Sequence, residues 1–116
     1  MDRDGLPHAE HCIRVAQSLP TPELKIIGLL HDTLEDTETT SEELHSLFGE
    51  RVTQAVCALT HTKGESYESY ITRVLRNPEA RHVKVVDILD NVRRGNFSSE
   101  RKKWRYHAAL MRLMSV

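Results

Sequence analysis

Apolar residues along this chain recur at intervals of three and four rather than two, which is the period of amphipathic helices. Residues 8–19 place Ile13, Ala16 and Leu19 on one face. The run Leu19, Pro20, Thr21, Pro22 closes that segment, with Thr21 as an N-cap and Pro22 as the first residue of a second helix. That helix carries Leu24, Ile27, Leu30 and Leu34. Thr40 and Glu43 have the spacing of a capping box, and Gly49 follows Leu44, Leu47 and Phe48 as a helix-ending residue. Residues 50–60 turn Val52, Ala55, Val56 and Leu59 inward, up to the break at Lys63 and Gly64. Residues 66–76 carry Tyr67, Tyr70, Ile71, Val74 and Leu75, stopped by Asn77 and Pro78. Residues 79–94 carry Val83, Val86 and Leu89, closed by Gly95. Ser98 or Ser99 caps a last helix in which Trp104, His107, Ala108, Met111 and Met114 face inward.

The stretch Val83 to Leu89 is rich in β-branched residues and reads as a strand by composition. Its flanks, Pro78 and Gly95, instead fit a helix of about four turns, and no second strand-like segment exists to pair with it. The expected fold class is all-α, a bundle of about six helices. With 116 residues and no repeat, low-complexity tract or linker, a single domain over 1–116 with one core is expected.

Composition narrows the function classes. Net charge is −1, so the molecule as a whole is not drawn to a nucleic acid polymer. Charge is unevenly placed: residues 31–50 hold seven acidic groups and no Lys or Arg, whereas residues 93–112 hold seven Lys or Arg and one Glu. Two solvated helix faces account for this, as does an acidic metal-binding half beside a basic half that meets phosphates. Cys12 and Cys57 lack zinc-type spacing and suggest a reducing compartment. No apolar run approaches the roughly 20 residues of a membrane span, and the first residues do not resemble a signal peptide. The expected location is cytoplasmic.

The chemistry concentrates in LLHDTLEDT, residues 29–37. On a continuous helix His31 and Glu35, Asp32 and Asp36, and Asp32 and Glu35 stand three or four residues apart and share a face. Carboxylates crowded at a buried helix end repel one another, and a divalent cation removes that penalty. Nitrogen and oxygen donors together suit Mn, Fe or Zn more than Ca. Adjacent residues cannot complete a site alone. Asp87 is a further candidate because it interrupts the apolar run VKVVDIL, where a carboxylate must be paired, solvated or ligating. Asn91 lies one turn later on the same face. His11 and its rival His8 are the remaining donors, while His45, His61, His82 and His107 have no partner at a meaningful spacing. No Gly-rich phosphate loop and no Ser or Cys nucleophile pattern is present.

These segments, in this order, resemble the HD-domain metal-dependent phosphohydrolases, and among them the guanosine tetraphosphate (ppGpp) hydrolases of the RelA/SpoT type and their small stand-alone relatives. GLLHDTLEDT matches the family's His-Asp-x-x-Glu-Asp motif, VKVVDILDNV resembles its Lys-Leu-Ala-Asp-x-x-x-Asn motif, and DGLPHAEHCIRVA and RYHAAL resemble its opening and closing segments. The resemblance implies an all-helical bundle, metal ligands at His11, His31, Asp32 and Asp87, and usually Mn²⁺ as the metal. It implies a catalytic acidic pair at Glu35 and Asp36, and nucleotide contacts at Asn91, Lys84 and Tyr106. It selects His11 over His8.

The chain departs from the family at Cys12, which replaces a Pro, at His8, which replaces a Tyr, and at Ile88 and Asp90, where a basic residue and a His or Tyr are usual. Relatives carry a further upstream helix with a basic segment, so the domain is expected to be N-terminally short with a shortened pocket. The implied function is removal of pyrophosphate from the 3′ position of guanosine tetra- or pentaphosphate or a similar nucleotide. The alternatives are an HD-type nucleoside monophosphate nucleotidase and a non-catalytic metal- or nucleotide-binding module. The expected partner is a phosphorylated guanine nucleotide, with no nucleic acid polymer and no membrane, and a homodimer would cover any exposed core.

Overall fold

The computed structural model describes residues 6–32, 34, 37–95 and 100–114, and seven helices are delimited among the described residues. They are α1 (Leu6–Gln17), α2 (Pro22–Leu30), α3 (Ser41–Phe48), α4 (Glu50–Leu59), α5 (Tyr67–Leu75), α6 (Pro78–Arg93) and α7 (Glu100–Met114). The described residues form no strand, and Val83 to Leu89 lie within α6. The segments delimited in the sequence already number seven against the expected tally of about six, and Gly49 at φ 90° separates α3 from α4 with a single residue as read.

Local chemistry sets most of the boundaries. Thr21 accepts a hydrogen bond from the Leu24 amide at the start of α2, and Pro22 needs no amide partner there. Thr40 and Glu43 form a reciprocal capping box on α3. Ser66 caps α5 and Asn77 caps α6 by the same side-chain-to-amide bond. Ser98 and Ser99, the expected caps of α7, lie outside the described residues.

α6 runs through the middle of the bundle and packs against α1, α2, α4, α5 and α7, with α3 resting on α4. Val15, Ile27, Val56, Val74, Val83 and Ile88 are fully buried around it. The four inward residues expected in α4 are all buried. No helix among the described residues is long and apolar enough to cross a membrane.

Three expectations need correction. α2 stops at Leu30 instead of running on through Leu34, because the His31 ring turns back and donates from Nδ1 to the Gly28 carbonyl at 2.5 Å. That side chain takes the place of the next helical amide, a recognised way of ending a helix. Ile13 on α1 is 47% exposed, and Val15 takes the inward place. α7 buries Tyr106, Ala109 and Leu113 rather than the stripe of Trp104, His107, Ala108, Met111 and Met114, and Trp104 and Met111 are 69% and 74% exposed. Polar anchors fix this rotation. Arg112 donates to the Glu68 carbonyl at 3.2 Å and to Thr72 Oγ1 at 2.7 Å on α5, and Arg81 of α6 donates to the Leu113 carbonyl at 2.7 Å.

α1 and α2 approach closely at Gly28, where an added Cβ would lie 2.9 Å from Leu19 Cδ1 and 3.4 Å from Ala16 Cα. Leu19 is itself buried and has little room to yield. Gly28→Val is therefore expected to destabilise the fold by about 1–3 kcal/mol through overpacking, read as a lower urea midpoint with unchanged slope.

Candidate metal centre

Three helices bring donors from distant parts of the chain to one point. His11 comes from the middle of α1, His31 and Asp32 follow the C-terminus of α2, and Asp87 comes from the buried face of α6. Donor atoms of His11, His31 and Asp87 lie within 4.8 Å of one another. Asp87 Oδ1 sits 2.7 Å from His11 Nε2 and 3.3 Å from His31 Nε2. Asp32 Oδ2 adds a carboxylate oxygen 3.5 Å from His31 Nε2. The two imidazoles meet edge to face with centroids 5.9 Å apart.

The outer atoms of His11, His31 and Asp87 are all engaged. His31 Nδ1 faces a carbonyl, which can only accept, so that nitrogen carries the proton. His11 Nδ1 faces Asp90 Oδ2 at 2.6 Å and donates to it. Asp87 Oδ2 accepts from Lys84 Nζ at 3.1 Å, which leaves Oδ1 turned toward the two Nε2 atoms. With metal–donor bonds of about 2.0–2.2 Å, neighbouring donors of a first-row ion lie about 3–3.5 Å apart; the 3.3 and 3.5 Å spacings at His31 fall in that range, and the 2.7 Å between His11 Nε2 and Asp87 Oδ1 is a hydrogen bond that would lengthen slightly around an ion. The three buried donors His11, His31 and Asp87 suit a divalent transition ion in type, and Asp32 joins the group through His31. Cys12 lies on the same flank, its thiol within 4.8 Å of donor atoms of His31 and Asp32.

Electrostatics describe the same cluster without an ion. Burial disfavours charge on His31, but the hydrogen bond and charge of Asp87 outweigh it and hold the ring at about 9. His11 is raised as well, against burial, by Asp87 and then Asp90. Burial opposes ionisation of Asp87, yet Lys84 and the two imidazoles hold it well below the usual carboxylate range, while Lys84 is held well above its own. The ionised Asp87 favours the protonated form of both imidazoles, and they in turn favour its charge.

The nucleotide-contact candidates lie on α6 and α7. Lys84 lies 5.1 Å from the Tyr70 ring centroid and lines a cavity of about 590 Å³ together with Tyr67, Tyr70 and Arg105. The Tyr67 hydroxyl is buried and has no hydrogen-bond partner. Tyr106 is buried on α7, where burial and then the charge of Asp87 raise its phenol. Asn91 is half-buried one turn beyond Asp87. Glu35 and Asp36 lie outside the described residues, as does the side chain of His8. The exposed His45, His61, His82 and His107 take no part in the cluster.

Two participants escaped the sequence reading. Asp90 is buried and bonded to His11, and Arg14 grips Asp90 with Nε at 3.0 Å and Nη2 at 3.2 Å. The available signal was a second acidic residue three positions after Asp87 on the buried face of the same helix.

No protein-family model matches the chain. It is 38% identical over 103 residues to the guanosine-3′,5′-bis(diphosphate) 3′-pyrophosphohydrolase MESH1 of Danio rerio, covering 79% of this chain and 57% of that protein. It is 37% identical over 103 residues to the enzyme of the same activity name from Aquifex aeolicus, covering 78% of this chain and 15% of that protein. The chain thus spans about half or less of the length of these relatives. A crystal structure of a Listeria monocytogenes EGD-e protein superposes with a TM-score of 0.72 at 27% identity, covering 96% of this chain and 84% of that one. A metazoan SpoT ortholog described as hydrolysing ppGpp gives 0.71 at 23% identity, covering 97% of this chain and 74% of that one, and shows the same fold.

The histidine shifts have a measurable sign. His31 titrates near 9 in the metal-free fold against an ordinary 6.5, so its contribution to stability is complete below about pH 6.5 and is lost as pH rises through about 9. Urea unfolding of metal-stripped protein should show stability falling across that window, and His31→Gln should flatten the fall. The same protons must leave before a cation binds, so affinity for a divalent transition ion should rise over this range.

Proposed function

Because the chain is a homologue of the guanosine-3′,5′-bis(diphosphate) 3′-pyrophosphohydrolases and has their HD-type helical fold, we propose that it is a metal-dependent hydrolase that removes pyrophosphate from the 3′ position of guanosine tetra- or pentaphosphate. The observation that carries this reading is the convergence of His11 Nε2, His31 Nε2 and Asp87 Oδ1 while the opposite nitrogen of each ring is already bonded. Such a donor set serves a cation better than it serves a hydrophobic core.

His11, His31, Asp32 and Asp87 are the proposed ligands, and Mn²⁺ is the proposed ion. A bound cation supplies Lewis acidity, lowering the pKa of a coordinated water and offsetting charge on the phosphoryl oxygens. Glu35, with Asp36, takes the proton of the attacking water. That water attacks the phosphorus bonded to the 3′ oxygen and the P–O3′ bond breaks; the 3′ oxygen takes up the proton drawn from the water and becomes the nucleotide's 3′ hydroxyl, while the attacked group departs as pyrophosphate. Lys84 brings a positive charge from the Asp87 pair to the wall of the adjoining cavity, a suitable place for a phosphate. Asn91 and Tyr106 complete the proposed nucleotide contacts.

The expected outcome is pyrophosphate release from guanosine tetraphosphate that requires Mn²⁺ and is abolished in Asp87→Asn and Asp32→Ala. Glu35→Gln should keep the metal while losing about 10²–10⁴-fold in turnover, the usual worth of a general base. Release of phosphate from nucleoside monophosphates in place of pyrophosphate from the tetraphosphate would move the chain to the nucleotidases. Metal uptake without turnover on either substrate would leave a binding module.

A further inference from the structure

Asp90 is a second buried carboxylate beside the cluster, 5% exposed and one turn beyond Asp87 on α6. A carboxylate so placed is costly unless it is fully hydrogen-bonded, and all of the bonds seen here come from α1. His11 Nδ1 donates to its Oδ2 at 2.6 Å, and Arg14 forks onto both oxygens at 3.0 and 3.2 Å. His11 and Arg14 are three residues apart on α1, as Asp87 and Asp90 are on α6. The His11 ring is consequently gripped at both nitrogens by one helix, at Nε2 by Asp87 and at Nδ1 by Asp90.

Resting on the metal reading above, we infer that Asp90 is a positioning residue for the ion: it keeps the His11 proton on Nδ1 and aims Nε2 into the donor cluster, while Arg14 holds Asp90 in place. His31 receives the same service from the Gly28 carbonyl, a backbone atom that no substitution removes. His11 depends on a side chain. Without an acceptor at Nδ1 the neutral ring is free to carry its proton on Nε2, and that tautomer offers the ion no lone pair. The position that breaks the expected motif thereby acquires a task of its own.

Two readouts on the whole chain test this. Calorimetric titration of Mn²⁺ into metal-stripped protein should show Asp90→Ala weakened about 10–100-fold, the usual cost of losing such a partner. Asp90→Asn, which keeps an acceptor oxygen, should restore most of the affinity, and Arg14→Gln should lose less than Asp90→Ala. In ¹⁵N-resolved spectra of the Zn²⁺-loaded protein, both His11 and His31 should show a protected Nδ1–H. Asp90→Ala should lose only that of His11. Equal Mn²⁺ affinity in Asp90→Ala and wild type would overturn the role, as would His11 in Zn²⁺-loaded wild type carrying its proton on Nε2. The second result decides the matter even if Asp90→Ala does not fold. Wild type that takes up neither ion would overturn the metal reading itself, and this role with it.

Discussion

Asp87 is the buried charge on which the rest of the structure turns. It is 6% exposed on the helix that touches most of the others, and it faces His11, His31 and Lys84 at 2.7, 3.3 and 3.1 Å. A lone carboxylate in such a place would shed its charge, and this one keeps it only because cationic groups from α1, the end of α2 and α6 itself surround it. The demand is reciprocal. Each of those groups is held by an element whose packing depends on apolar contact with α6, so the polar cluster and the apolar core determine one another.

The order of events along α2 shows how a local rule becomes a functional one. Gly28 lets α1 and α2 approach, its carbonyl receives His31, and that bond both ends the helix and fixes the imidazole. A single backbone oxygen thus terminates an element and orients a candidate ligand. Asp90 performs the orienting half of that task for His11 from a different helix.

Much of this was legible in the chain because the relevant signals are short-range. Thr21 and Thr40 cap helices through bonds spanning three residues, and each works where its spacing predicts. Asp87 stood out because a charge within an apolar run must find partners. The rotation of α7 was not legible, since two stripes fit its period and the choice rests on Arg112 and Arg81 reaching partners 32 to 44 positions away. Asp90 was hidden for a related reason. Its partners lie 76 and 79 residues earlier, and a helix-face pattern does not indicate which opposing side chain will arrive.

That separation also bears on time. His11 and Asp87 are 76 residues apart, and their meeting requires α1 and α6 to have docked already. An ion that needs both can grip the chain only near the end of folding, after the loop between them has closed. Interactions absent from the folding transition state leave the folding rate nearly unchanged and slow the reverse step. The cluster would therefore act as a late clasp: bound metal would lengthen the lifetime of the native state against proteolysis and heat without hastening its formation.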